Sequence, residues 1–136
     1  MKRYLFDTGI AADYVNRRGG VYARARQALA GGARLGLGAP VLGELWDGVF
    51  YSATSGFNEE LLKRHLGHFA IWPFDQVAAL EYGRVAAELR RRGRAMQQID
   101  IQIAAIALTL ADCTVVSKDT DLRDVSRLTV ENWALA

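Results

Sequence analysis

The 136-residue sequence holds one cysteine, two prolines and two histidines. A single thiol, Cys113, excludes an internal disulfide framework and a cysteine-built zinc site. Its place between Asp112 and the apolar pair Val115-Val116 suits packing better than catalysis. With prolines this scarce, hydrophobic residues at 51% and charged residues at 24%, extensive disorder is excluded. No run approaches the roughly 18 apolar residues that a membrane helix needs. Lys2-Arg3 leads into no long apolar region, so no secretory signal is expected either. Charge of one sign is also scarce, since 17 basic and 15 acidic residues leave a net charge of +2. The sequence predicts a soluble cytoplasmic protein with one domain over residues 1–136. At this length a chain buries about 68% of its unfolded surface and needs no metal or disulfide to fold.

What is present is a regular alternation of short apolar runs and amphipathic stretches. Arg3 to Asp7 is too short for a core helix and reads as a buried strand ending in a carboxylate. Helices are predicted over Ile10–Asn16 and Val21–Ala30, each closed by glycines. Arg34–Gly38 reads as a strand that its own glycines weaken. Pro40 opens a helix with Val41, Leu42, Leu45, Trp46, Val49 and Phe50 at helical spacing. Another helix runs from Asn58 to about Phe69, followed by a strand over Ala70–Phe74. Asp75 caps a helix reaching Gly93. The segment after Asp100 is apolar on nearly every side, which marks a central helix. Thr114–Ser117 and Leu128–Val130 read as strands on either side of an acidic loop, Lys118–Asp124. Strands alternating with helices predict an α/β fold with a mostly parallel sheet.

In such a sheet ligands bind beyond the carboxyl ends of the strands, near a reversal of strand order. Asp7 ends the first strand, and Asp119 and Asp121 follow the Val115-Val116 strand, so both groups reach one edge. Asp100 begins the helix before that later strand, and Glu44 lies on an otherwise largely apolar helix. Each acid also has an ordinary explanation. Asp7 and Asp100 suit helix N-caps, Asp119 and Asp121 suit a polar turn, and Glu44 suits a wet helix face beside Asp47. His65 and His68, three apart without an obvious third ligand, read as surface residues rather than a zinc site. Together, however, the acids form an oxygen-rich set that suits Mg²⁺ or Mn²⁺ with a substrate phosphate. No serine–histidine or cysteine–histidine pair and no Gly-rich phosphate loop competes with them. The residues alone therefore point to a metal-dependent phosphodiesterase. Arg84, Arg90, Arg91, Arg92 and Arg94 crowd one segment, which is either a solvated helix face or a phosphate-facing patch.

Five stretches also resemble a known family. Tyr4-Leu5-Phe6-Asp7-Thr8-Gly9-Ile10 resembles the first strand of PIN domains, and Ala39-Pro40-Val41-Leu42-Gly43-Glu44-Leu45 their acidic helix. Ile99 to Leu108, with Asp100, is similar to the third acidic motif, and Val115 to Leu122, with Asp119 and Asp121, to the fourth. Leu128 to Trp133 resembles the end of VapC-type toxins within that family. Gly9 stands where the family usually has Asn or Ser, and Ser117-Lys118 where it has Thr-Asn. The resemblance implies a three-layer α/β/α sandwich and a Mg²⁺- or Mn²⁺-dependent ribonuclease. Its metal-centre acids map to Asp7, Glu44, Asp100 and Asp119, with Asp121 as an accessory. Within that set Asp7, Asp100 and Asp119 are expected to hold the ion, which Glu44 reaches directly or through water. The resemblance also implies a homodimer silenced by a VapB-type antitoxin whose tail enters the active groove. Trp46, Phe50, Tyr51 and Phe57, on the predicted Pro40–Phe57 and Asn58–Phe69 helices, are expected at the dimer interface. Arg90, Arg91, Arg92 and Arg94 are expected to touch RNA phosphates beside the metal. The rival readings are a PIN-fold module that binds RNA or protein without catalysis, and a receiver-like phosphoacceptor domain. Lys118 as the only late lysine, and no paired acids ahead of Asp7, count against the receiver.

Overall fold

The computed structural model describes residues 1–135, and its framework is a five-stranded, fully parallel sheet. The strands are β1 (Arg3–Phe6), β2 (Arg34–Gly38), β3 (Ala70–Trp72), β4 (Cys113–Val116) and β5 (Thr129–Glu131), in the order β3-β2-β1-β4-β5. The helices are α1 (Thr8–Val15), α2 (Val21–Ala30), α3 (Ala39–Tyr51), α4 (Ser55–Leu66), α5 (Gln76–Arg91) and α6 (Gln98–Leu108). From β1 the chain steps outward through β2 to β3, then crosses back to β4 on the other side of β1. Right-handed crossovers in opposite directions put the helices before β3 and those after it on opposite faces, a three-layer α/β/α sandwich. The order reverses between β1 and β4, which pair directly from Arg3↔Cys113 to Phe6↔Val116.

Short, apolar strands are what a sheet covered on both faces requires. Leu5, Phe6, Leu35, Leu37, Val115 and Val116 are essentially inaccessible to solvent. Phe6 sits at the centre of an aromatic cluster, edge-on to Phe69 at 5.6 Å and to Trp133 at 5.4 Å. Helix α6 buries Ile103, Ala104, Ala105 and Ile106 in succession, as its all-round apolar pattern predicts. Pro40 lies in the first turn of α3, and the Asp75 carboxylate caps α5 by accepting from the Ala78 amide at 3.0 Å. No helix among the described residues is long and apolar enough to cross a membrane.

Three expectations shift. The predicted Pro40–Phe57 helix ends at Tyr51, and α4 starts at Ser55 rather than Asn58, because Ser52 turns extended between them. The strand after α4 stops at Trp72, since Pro73 has no amide to continue the ladder. His65 is buried instead of lying on the surface. Its Nδ1 lies 2.9 Å from the Leu61 carbonyl, and its ring packs edge-on to Tyr14.

The β2 glycines, which weaken a strand on propensity grounds, have a packing role. A Cβ on Gly36 would lie 2.2 Å from the Trp72 ring, and one on Gly38 would lie 2.7 Å from Ile106 Cδ1. Gly36→Ala is therefore expected to destabilise the protein by about 1–3 kcal/mol through overpacking. Gly83→Ala, in the open middle of α5, is expected to stabilise it by up to about 1 kcal/mol. Urea titration of the two variants checks both signs.

Candidate active site

The crevice lies at the carboxyl ends of β1 and β4, where the strand order reverses. Asp7 follows β1 directly, and its amide donates to the Val116 carbonyl at 3.1 Å, so the backbone fixes it against β4. Its Oδ1 caps α1 by accepting from the Ile10 amide at 2.9 Å, and its Oδ2 accepts from the Ser117 hydroxyl at 2.5 Å. The capping reading of Asp7 thus holds, with the same carboxylate standing at the crevice. Burial pushes this carboxyl above its ordinary value, while those two hydrogen bonds pull against the rise.

Asp100 differs from the expectation that it caps α6. Gln97 occupies the cap, and Asp100 stands in the first turn. There the helix's unpaired amides favour negative charge. Even so, the Asp100 carboxyl is pushed up from 3.8 to about 6, first by burial and then by the charges of Asp119, Asp7, Asp121 and Glu44. The other four acids singled out from the sequence therefore all act on Asp100. Among the described residues, no group of three or more His, Cys, Asp or Glu side chains stands close enough together to hold a metal ion as it is. The set is nevertheless oxygen-only and self-repelling, which is the chemistry that suits a hard divalent cation.

Asp119 and Asp121 lie on the loop after β4. Asp119 caps the short 3-10 turn Thr120–Asp124 by accepting from the Asp121 amide at 2.8 Å, so its turn role is real as well. Glu44 projects from α3, exposed, and Thr8 Oγ1 donates to its Oε1 at 2.5 Å. Beside it, a cleft of about 300 Å³ opens between α1, α3 and α4, with Ala12, Val15, Leu45 and Leu62 in its wall.

Three residues important to this geometry were not assigned roles from sequence. Ser117 is buried and bridges two acids, since its Oγ donates to Asp7 and accepts from the Asp119 amide at 2.9 Å. The Ser-x-Asp pattern directly after a buried strand is a signal for such a turn. Thr8 holds Glu44 from the residue next to Asp7. Asp13, nearly buried on α1, binds Lys118 Nζ at 2.8 Å across 105 residues, and no local pattern announces that pair. The arginine run divides. Arg90 and Arg91 are exposed, whereas Arg92 and Arg94 turn back onto Asp124.

Ser117→Ala is expected to raise the Asp7 carboxyl further, because it deletes a hydrogen bond that favours the charged form. It also leaves a buried acceptor and the Asp119 amide without a partner, at a cost of about 1–3 kcal/mol. Carbon-detected carboxyl titration and urea unfolding test the two effects, and Ser117→Thr, which keeps the hydroxyl, should reverse both.

Comparison with known proteins agrees with this geometry. The chain is 26% identical, over 130 residues, to a protein of Rickettsia felis named ribonuclease VapC2, covering 96% of this chain and 97% of that one. Its structure is similar to VapBC2 from Rickettsia felis, crystallised bound to a DNA fragment from their promoter. The TM-score is 0.89 at 25% identity, with 96% of this chain and 98% of that one covered. DNA-bound VapBC from Salmonella typhimurium shares the fold, with a TM-score of 0.89 at 21% identity, covering 98% of this chain and all of that one. The PIN domain profile matches residues 4–128, from β1 past the acidic turn, and with that span this chain belongs to the PIN domain family.

Proposed function

We propose that this protein is a Mg²⁺- or Mn²⁺-dependent endoribonuclease toxin of the VapC type, hydrolysing RNA phosphodiester bonds in the cytoplasm. The observation that carries this reading is the placement of Asp7 and Asp119 at the strand-order reversal, linked through Ser117, with Asp100 under the influence of both. The name of the Rickettsia ribonuclease supports it. Asp7, Asp100 and Asp119 would hold the ion, with Asp121 as an accessory and Glu44 reaching it directly or through water. A bound divalent ion supplies an acidified water and charge stabilisation for a phosphodiester in transit.

The chain's own residues supply the positioning. Ile10 and Ser117 fix both oxygens of Asp7, Thr8 bonds Glu44, and the Asp121 amide holds the Asp119 carboxylate in its turn. Exposed Arg90 and Arg91, at the end of α5, suit non-specific contact with RNA phosphates. The cleft beside Glu44 suits the tail of a VapB-type antitoxin, in line with the VapBC complexes that share the fold. A homodimer through α3 and α4 is consistent with the exposure of Phe50, Tyr51 and Phe57, which the core leaves uncovered.

Purified protein is expected to cleave single-stranded RNA with added Mn²⁺ or Mg²⁺ and to stop on chelation. Asp7→Asn and Asp100→Asn should each lower the rate by orders of magnitude with the fold intact by circular dichroism. Full activity in either variant, or cleavage indifferent to chelator, would falsify the assignment.

Melting without metal gives a separate check. A carboxyl raised by folding contributes stability at low pH and loses it as pH climbs from 3.8 through about 6. In chelator, Asp100 should therefore make the protein melt lower at pH 7.5 than at pH 5. Asp100→Asn should narrow that gap, melt higher than wild type at pH 7.5 and gain less from Mn²⁺. Scanning fluorimetry decides; a variant that melts lower at pH 7.5 would count against repulsion as the cause.

A further inference from the structure

The segment ahead of Asp100 is laced to the far end of the acidic turn. Arg92 Nη1 donates to the Asp124 backbone carbonyl at 2.6 Å and lies 3.7 Å from Glu88. The Arg94 guanidinium pairs with the Asp124 carboxylate. Along the same seam Ser126 Oγ donates to Glu88 at 2.9 Å, and Arg127 reaches Glu81 at 3.3 Å. These contacts join the α5 end and the loop that opens α6 to residues Asp124–Arg127. The loop delivers Asp100, and the turn that Asp124 closes delivers Asp119 and Asp121.

We infer that Arg92, Arg94 and Asp124 form a clasp that sets the approach of Asp119 to Asp100, making the two arginines positioning residues rather than RNA contacts. The inference rests on the metal-centre reading above. Asp119 and Asp100 carry like charge on the two joined elements, so they push those elements apart. The clasp spans those two elements just outside the centre and opposes that push. A lone exposed ion pair contributes little. This seam adds a backbone acceptor, and a planar guanidinium holds its partner in one geometry.

The test is calorimetric titration of Mn²⁺ into the whole chain without RNA, for wild type, Arg94→Ala, Asp124→Ala, the double variant and the swap Arg94→Asp with Asp124→Arg. Each single change is expected to weaken Mn²⁺ binding about tenfold, the low end for loss of groups that orient metal ligands. The double variant should be no weaker than the worse single, and the swap should recover most of the loss. Arg94→Lys, which keeps charge without the fork, should lose about two- to threefold and carries the test if the alanine variant does not fold. RNA binding in chelator, followed against salt, supplies a second readout that Asp124→Ala should leave unreduced. Unchanged Mn²⁺ affinity in Arg94→Ala, with lower RNA affinity and a shallower salt slope, overturns the clasp in favour of phosphate contact. Wild-type protein that binds no Mn²⁺ overturns the metal-centre reading and the clasp with it. Tight wild-type binding with unaltered variants overturns the clasp alone.

Discussion

Carboxylates of one sign gather where β1 and β4 end, and the structure around them holds them in place against their mutual repulsion. The parallel pairing of these strands brings Asp7 and Ser117 to one edge, and the Asp7 amide binds the Val116 carbonyl there. Ser117 then serves two acids with one hydroxyl. Charge-assisted hydrogen bonds contribute about 1.5–3 kcal/mol each. Asp7 accepts two of them, from an amide and a hydroxyl, and is held on both sides. Asp100 has the first turn of α6 beneath it but is still pushed up to about 6, first by burial and then by its neighbours. Tethering supplied by the chain is therefore uneven, firm at Asp7 and weaker at Asp100.

Much of the fold was legible because it depends on local pattern. The abrupt end of an apolar run at Asp7, the Pro40 start, the Asp75 cap and the all-round apolar α6 each leave a mark within a few residues. Asp7 and Asp119 were legible as caps or turn residues for the same reason, since each stands at the end of a strand or the start of a turn. Misplaced features depend on tertiary partners or fine boundaries. Asp100 has the composition of a cap, yet the helix starts earlier, at Gln98. His65 looks polar in a polar stretch but is enclosed by Tyr14 and Tyr22. Ser117 and Asp13 gain their importance from partners 110 and 105 residues away, which no window of sequence displays.

Structural and chemical roles coincide at several of these positions. Asp7 is both the cap of α1 and the best-held acid of the crevice, and Asp119 caps its turn while acting on Asp100. A cap to alanine substitution costs about 1 kcal/mol, small beside the loss of one charge from a set of five. An asparagine at Asp7 keeps the capping oxygen and removes the charge, so stability and chemistry separate at that position. The same economy appears at Gly36 and Gly38, where the absent side chains admit Trp72 and Ile106 over β2.

Charge allocation completes the picture. Lys118 is directed to Asp13, with Arg18 3.7 Å from the same carboxylate; Arg94 pairs with Asp124, Arg92 lies 3.7 Å from Glu88, and Arg127 serves Glu81. These cations are committed chiefly to acids outside the five, although Lys118 also acts on Asp7 and Arg94 on Asp121. A surrounding balanced in this way confines the excess negative charge to one small volume, although the chain as a whole carries +2. Such confinement favours a small, doubly charged ion over a diffuse cation, because interaction strengthens with charge and short distance. A phosphate can approach these acids only with their charge offset, which links metal and substrate binding in the proposed nuclease. Exposed Arg90 and Arg91 lie outside that confined volume. In the proposed nuclease, their contribution would be to attract the RNA backbone, and that of the acids and their ion to fix where it is cut.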